Sequence, residues 1–198
     1  MKIGRSGRVL LFCAFVSCGG QAPHSSAADS GLASDLGPAG SAQDASSANF
    51  STVVINFDEL KSGQVITSQY ADHVVFSSDP GINIGASDPI AIGQSPPNFM
   101  SAGGPNNVLY PLYADFTKPV RGLKFNALAV TSTGVVAHIK VYVNGQLSDT
   151  VNLVGKGNSY VPVPVDLSAY TSVTRIEVVD ITDLDGIDYD DFAFEFPQ

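Results

Sequence analysis

Val135-Val-Ala-His-Ile-Lys-Val-Tyr-Val143-Asn144-Gly145-Gln146-Leu-Ser-Asp-Thr-Val-Asn-Leu-Val154 decides the fold class of this chain. Ile139, Val141 and Val143 fall on one face, and His138, Lys140 and Tyr142 on the other. A period of two marks a strand with one buried side. Asn144-Gly145 then favours a two-residue type I′ turn, because both residues tolerate positive φ. Gln146 to Val154 returns as the partner strand, so the segment reads as a β-hairpin.

The same pattern extends outward from the hairpin. Short runs rich in Val, Ile, Thr and Phe are separated by Gly, Pro, Asn and Asp from residue 50 to the end. Thr52 to Phe57 places Val53, Ile55 and Phe57 on one face. His73 to Ser77, Leu112 to Phe116, and Gly122 to Val130 are further candidates, the last with Leu123, Phe125 and Ala127 on one side. Tyr160-Val-Pro-Val-Pro-Val165 is extended, but its prolines cannot donate ladder hydrogen bonds, which predicts an edge strand. Val173 to Ile181 and Phe192 to Phe196 complete the set, the latter with three phenylalanines on one face. Nine or ten strands, no helix and no internal repeat predict an all-β domain, an antiparallel β-sandwich or barrel.

Three divisions follow from composition. Residues 1–17 combine Lys2, Arg5 and Arg8 with the apolar run Val9 to Val16, too short to span a bilayer, as in a secretory signal peptide. Residues 18–49 are rich in Ser, Ala and Gly without apolar periodicity, which predicts a disordered linker. A coil of about 30 residues has a root-mean-square reach of roughly 30 Å. Residues 50–198 form the β domain. Both cysteines, Cys13 and Cys18, lie in the leader region, so the domain has neither a disulfide nor a thiolate metal site. The net charge is −9, and more negative still once the three leader cations are set aside. That excludes nucleic acid, whose phosphates need clustered Lys and Arg. It equally disfavours anionic lipid surfaces.

Phe15-Val16-Ser17-Cys18-Gly19 resembles the lipobox of bacterial lipoproteins. The resemblance implies acylation of Cys18 and contact with the membrane through that N-terminal lipid only. No Asp follows Cys18, which in that family implies the outer membrane. An exported, lipid-anchored protein is the expectation.

Six carboxylates fall between Asp180 and Asp191 with no Lys or Arg among them. Such crowding costs free energy unless the charges are solvated or neutralised by a cation. Ca²⁺ takes six to eight oxygens from carboxylates, carbonyls and water in loose geometry, and Asp-rich turns supply them. The segment lacks the helices and the twelfth-position Glu of an EF-hand. Asp190 shares strand parity with Phe192 and Phe194, which points it inward, and an inward carboxylate needs a cation or several donors. Asp58-Glu59 ends the opening strand, so the two acidic ends converge if first and last strands are neighbours.

Phe57-Asp58-Glu59 and Gly186-Ile-Asp188-Tyr-Asp190-Asp191-Phe192 resemble the two ends of galactose-binding-like jelly rolls, the fold of many non-catalytic carbohydrate-binding modules. The resemblance implies a jelly-roll β-sandwich with a structural Ca²⁺. Carried over by position, Asp58 matches the first acid and Asp190 the second, with Asp191 beside it; Asp188, from the same acidic segment, is a further candidate metal ligand. Strand parity favours Glu59 over Asp58 as the inward group, so the choice between them stays open here. Ser95-Pro-Pro-Asn98 is similar to secreted bacterial β-sandwich domains of unassigned role.

Sugar binding calls for aromatic platforms with amides and charges nearby. The domain has no Trp. Tyr142 and His138, on the outward face of the hairpin, and Tyr110 with Asn107, beside Gly103-Gly104-Pro105, are the candidate ligand-binding residues. Glu59, Glu177 and Glu195 are the domain's only glutamates, and no Gly-x-Ser-x-Gly elbow or spaced histidine pair appears. The sequence reads as a binding module and not an enzyme, with envelope polysaccharide or a surface protein as partner. The alternatives are a structural or adhesive envelope protein with no small ligand, and a glycan-active enzyme on the same scaffold.

Overall fold

The computed structural model describes residues 49–87, 97–102 and 109–198. The signal peptide, Cys18, nearly all of the linker and Asn107 lie outside the described residues. Ten strands are present, with no helix among the described residues. In chain order they are β1 (Phe50–Ile55), β2 (Val74–Ser77), β3 (Ile84–Ser87), β4 (Phe99–Ala102), β5 (Leu112–Leu128), β6 (Thr133–Val143), β7 (Gln146–Lys156), β8 (Val163–Asp166), β9 (Val173–Val179) and β10 (Asp188–Pro197).

All pairings are antiparallel, and they form two layers joined by β5. The first part of β5, around Tyr113 to Phe116, pairs with β2 and β9, and β9 leads on to β6 and β7. The second part pairs with β10 and β8, and β10 leads on to β1, β4 and β3. The layers meet through rings: Phe76 lies 5.1 Å from Phe192, and Phe116 lies 5.2 Å from Phe194. Leu112, Val120, Leu123, Val173 and Ile176 fill the same core and are fully buried. Burying each such side chain stabilises the fold by about 1.5–3 kcal/mol before the entropy of ordering is counted. The architecture is the all-β antiparallel sandwich that the residue pattern predicts, of the jelly-roll kind that the resemblance implies.

Several boundaries differ from that pattern for physical reasons. Leu112–Phe116 and Gly122–Val130 are not two strands but one of 17 residues. Lys118-Pro119 punctuates the sequence, yet Pro119 sits in the register shift between Asp115 and Val120, where β5 leaves one layer for the other and no proline N–H is missed. The hairpin turns at Asn144 (φ 51°) and Gly145 (φ 78°) as a type I′ turn requires. Its alternation is broken at Val136 and Ala137, both buried, where the ladder to β7 shifts register. β8 pairs with β5 alone and is the edge strand its prolines foretold. The closing strand begins at Asp188, so Asp188, Asp190 and Asp191, which precede the strand read from Phe192, are strand residues.

Candidate functional site

Two strands share one edge of β10. β1 covers Phe192 to Pro197, and β4 covers Asp188 and Tyr189. Asp190 and Asp191 lie in the gap between them. A bulge marks the same place: the β5 register shifts after Asp190, and Asp191 adopts φ 53°. Tyr189 and Phe192 both lie against Phe125, at 6.3 and 4.8 Å, so both face the core. The bulge therefore breaks the parity that grouped Asp190 with Phe192. Asp190 is nonetheless 1% exposed, because the segments entering the gap cover it.

Those segments are the end of β1 and the approach to β4. Phe57, at φ 61°, is a bulky residue in the left-handed region and turns the chain out of β1. It persists there because its ring is fully buried against Tyr70, Phe76 and Phe192. The turn corrects the parity argument for Glu59: with the strand ended at Ile55, alternation no longer applies. Asp58 is half-buried and Glu59 exposed. Asp58 Oδ2 accepts from Asn56 Nδ2 at 2.7 Å, and Oδ1 accepts from the Asn98 amide N–H at 3.3 Å. Asn98 Nδ2 donates to the Leu60 carbonyl at 2.7 Å, which leaves the buried Asn98 Oδ1 without a partner.

Asp190 Oδ1 accepts from the Asp191 amide at 2.8 Å, and its Oδ2 is buried and unpartnered. Desolvation, reinforced by the charges of Asp191 and Asp58, pushes the Asp190 carboxyl up to about 7 against the partial relief of that amide bond. Tyr70 closes the group. Burial first, then the carboxylates of Glu59, Asp58 and Asp190, raise its phenol well above the ordinary tyrosine value. Glu59 lies beside the hydroxyl, but the two do not meet hydrogen-bond geometry, so that oxygen is unpartnered too. Three of the five buried side-chain polar atoms without partners among the described residues belong to this group, linked through Asp58.

This chemistry fits a hard cation. Asp58 and Asp190 are near enough for their charges to interact, and Asp190 Oδ2 and Asn98 Oδ1 are buried without partners; carboxylate and amide oxygens are the donor types Ca²⁺ takes. It is not a dense acidic cage: no three His, Cys, Asp or Glu side chains among the described residues form a metal-holding group. The other acids are engaged elsewhere. Asp188 pairs across the strands with Ser101 on β4, and burial pushes its carboxyl up to about 6. Asp191 Oδ2 accepts from Asn126 at 3.1 Å. Asp183 is fully buried and accepts from the Ser132 amide at 2.7 Å, Thr131 at 2.8 Å and the Asp185 amide at 3.2 Å. Asp183 thus ties the acidic loop to the turn before β6.

A second polar assembly covers the outer face of the β2-β5-β9-β6-β7 layer. Register alone aligns two rows across five strands. One is Ser77, Tyr113, Glu177, Lys140 and Thr150; the other is Val75, Asp115, Arg175, Tyr142 and Leu147. Arg175 is the centre. Its Nη1 donates to both Asp115 oxygens at 2.7 and 2.8 Å, its Nε donates to Glu177 at 2.9 Å, and its guanidinium lies 5.0 Å from the Tyr113 ring centre. Tyr113 donates its hydroxyl to Asp79 at 2.8 Å, which raises the phenol pKa. Tyr142 is raised by desolvation and by the neighbouring Glu177.

His138 shares this face through its pairing with Val179 and Asn152, and its Nδ1 lies 3.2 Å from Asp180. Tyr142 and His138 thus share one face, with Lys140 between them, whereas Tyr110 precedes β5 and belongs to neither row. Tyr113, Asp115, Arg175 and Glu177 carry no signal in the sequence that marks them as a group. Alternation along Leu112–Phe116 and Val173–Val179 points them outward, but only pairing makes them neighbours.

No protein-family model matches the chain, and no curated protein matches it. Among solved structures, a family 35 carbohydrate binding module from Clostridium thermocellum is similar at 14% identity and a TM-score of 0.39, over 75% of this chain and 99% of that one. So distant a likeness carries no functional weight.

Proposed function

We propose that this domain is a non-catalytic carbohydrate-binding module, exported and tethered to the outer membrane by lipid on Cys18, with one structural Ca²⁺ held at the Asp58–Asp190 junction. The observation that carries the binding role is the pair of outer-face rows. Sugar rings offer apolar C–H faces and a rim of hydroxyls. Tyr113 and Tyr142 supply flat surfaces on either side of the Arg175 guanidinium, and Asp115, Glu177 and Lys140 supply acceptors and donors. Arg175 holds these groups in place before any ligand arrives, which reduces the entropy lost on binding. At about 4.8 Å per strand, five strands give a face roughly 20 Å wide, long enough for a chain.

The calcium reading rests on the orphaned oxygens of Asp190 and Asn98, together with Asp58. The ion would offset the charge repulsion there and pin the β1 end to β10, a scaffold role away from the sugar face. Asp190 and Asp58 are the carboxylates and Asn98 Oδ1 the amide ligand.

Immobilised polysaccharides and a glycan array test the binding role. Retention of a defined glycan class, weakened on substitution of Tyr142, supports it. Silence across the panel favours the second reading, an adhesive surface protein without a small ligand. Exposed Leu147 and Val154 on β7, itself an edge strand, support that alternative.

A further inference from the structure

The outer face does not end flat. Beyond Tyr113 the rows run onto β2, an edge strand, and the chain around β2 borders an open cleft of about 290 Å³. Val65, Phe76 and Ile82 line it with apolar surface; Thr67, Asp79 and Asn83 add polar groups. Asp79 joins cleft and face, because it lines the cleft and accepts the Tyr113 hydroxyl. One wall is fixed in advance: Ser78 Oγ donates to the Pro111 carbonyl at 2.6 Å, and the Ile82 amide donates to the Asp79 carbonyl at 3.0 Å. The opposite wall is held by the Val65–Gly85 bridge.

We propose that this cleft receives the terminal residue of a carbohydrate chain whose neighbouring residues lie along the outer face, so that the domain reads chain ends or branches. The inference rests on the carbohydrate reading above. Size favours an end: the cleft is at the small limit of ligand sites, which span about 300–1,000 Å³, and suits one ring better than a chain. Position favours it too, because the cleft lies past the edge of the sheet, where the rows stop. An apolar lining with a hydroxyl, an amide and a carboxylate is the chemistry that grips a single sugar from both its C–H and O–H sides.

Protein-observed NMR titration with glucose, galactose, mannose, xylose, arabinose and N-acetylglucosamine tests it, since a monosaccharide fills the cleft but cannot reach from Tyr113 to Tyr142. The expected result is that at least one sugar shifts the amides of Thr67, Asp79 and Asn83. Asn83→Ala and Thr67→Ala, both at exposed positions, weaken that response at least tenfold, and Tyr142→Ala leaves it unchanged. If polysaccharides are retained while no monosaccharide touches the cleft, or if both cleft variants bind like wild type, the end-recognition proposal is wrong and the face reading survives. If neither polymers nor monosaccharides bind, both fall together.

Discussion

Asp58 and Asp190, from opposite ends of the domain sequence, lie close enough that the charge of one raises the proton affinity of the other. They are near because β1 and β4 leave a gap along β10, and the turn at Phe57 brings Asp58 towards it. A buried carboxylate such as Asp190 is seldom held beside a second, half-buried one without a counter-ion. The pair is therefore where removal or addition of a cation should be felt most.

Calcium should raise the melting temperature of chelator-stripped protein. An ion bound only to the folded state at a hundred times its dissociation constant adds about 2.7 kcal/mol. Calorimetry with and without added Ca²⁺ measures the shift, and Asp190→Ala should abolish it. A wild-type melt indifferent to the ion, with metal-free starting material verified, would remove the calcium site.

The metal-free protein should lose stability as pH rises from about 4 to 7. Asp190 and Asp188 have folded-state values of about 7 and about 6, above the ordinary 3.8. The folded chain therefore keeps protons in this window that the unfolded chain has released. Their contribution is complete below the ordinary value and is lost as pH climbs through the folded values. Each tenfold difference in proton affinity between folded and unfolded chain is worth about 1.4 kcal/mol. Asp183 acts oppositely and in another window: donors hold its carboxyl below 3.8 despite burial, so its contribution fades only at lower pH. Asp190→Asn should flatten most of the slope between pH 4 and 7 in denaturant titrations. An unchanged slope in that variant means Asp190 is not the group responsible.

Tyr142→Ala and Tyr113→Ala should each weaken retention on the bound polysaccharide roughly five- to tenfold, the loss of about 1 kcal/mol of ring contact. Affinity electrophoresis gives the ratio. Tyr160→Ala, which removes an exposed ring outside the two rows, is the control. Equal effects from all three substitutions would mean the outer face is not the site.

Gly155→Ala should destabilise the domain by about 1–3 kcal/mol or more. A Cβ there would lie 2.2 Å from the Ser132 carbonyl oxygen and 2.7 Å from Val130 Cγ1. The first is backbone and cannot swing aside. For a domain of this size that is a drop in melting temperature of about 2–4 °C per kcal/mol. A wild-type melt would show that the β7 end and the Ser132 turn are not packed as described.

Cys18→Ser should free the exported protein from membranes. Fractionation reads the outcome, and a variant that still sediments with membranes would refute lipid attachment at this residue.

Much of the fold could be read from local pattern. The hairpin announced itself because strict alternation, an Asn-Gly turn and a second alternating run agree, and each is a short-range effect. Pro164 in β8, with Pro162 just before it, announced an edge for an equally local reason, the missing N–H. The acids of the junction were visible as residue types, but their geometry was not. Parity assumes an unbroken strand, and both relevant strands break it: β1 by the left-handed Phe57, β10 by the bulge at Asp191. Asn98, quoted only as part of a motif, gained its importance when the approach to β4 laid it against Asp58. Arg175 was invisible as a centre because its partners, Asp115 and Glu177, sit on different strands or two places along its own.

The sequence by itself determined an all-β domain, the inward side chains wherever a strand runs unbroken, and an acidic character that disfavours polyanionic partners. These follow from side-chain periodicity, turn chemistry and summed charge, all additive along the chain. The tertiary structure alone decided which carboxylates meet and which tyrosines share a face with an arginine. Those relations depend on strand order and on single-residue breaks in register, and one residue of slip moves a side chain to the opposite face of a sheet.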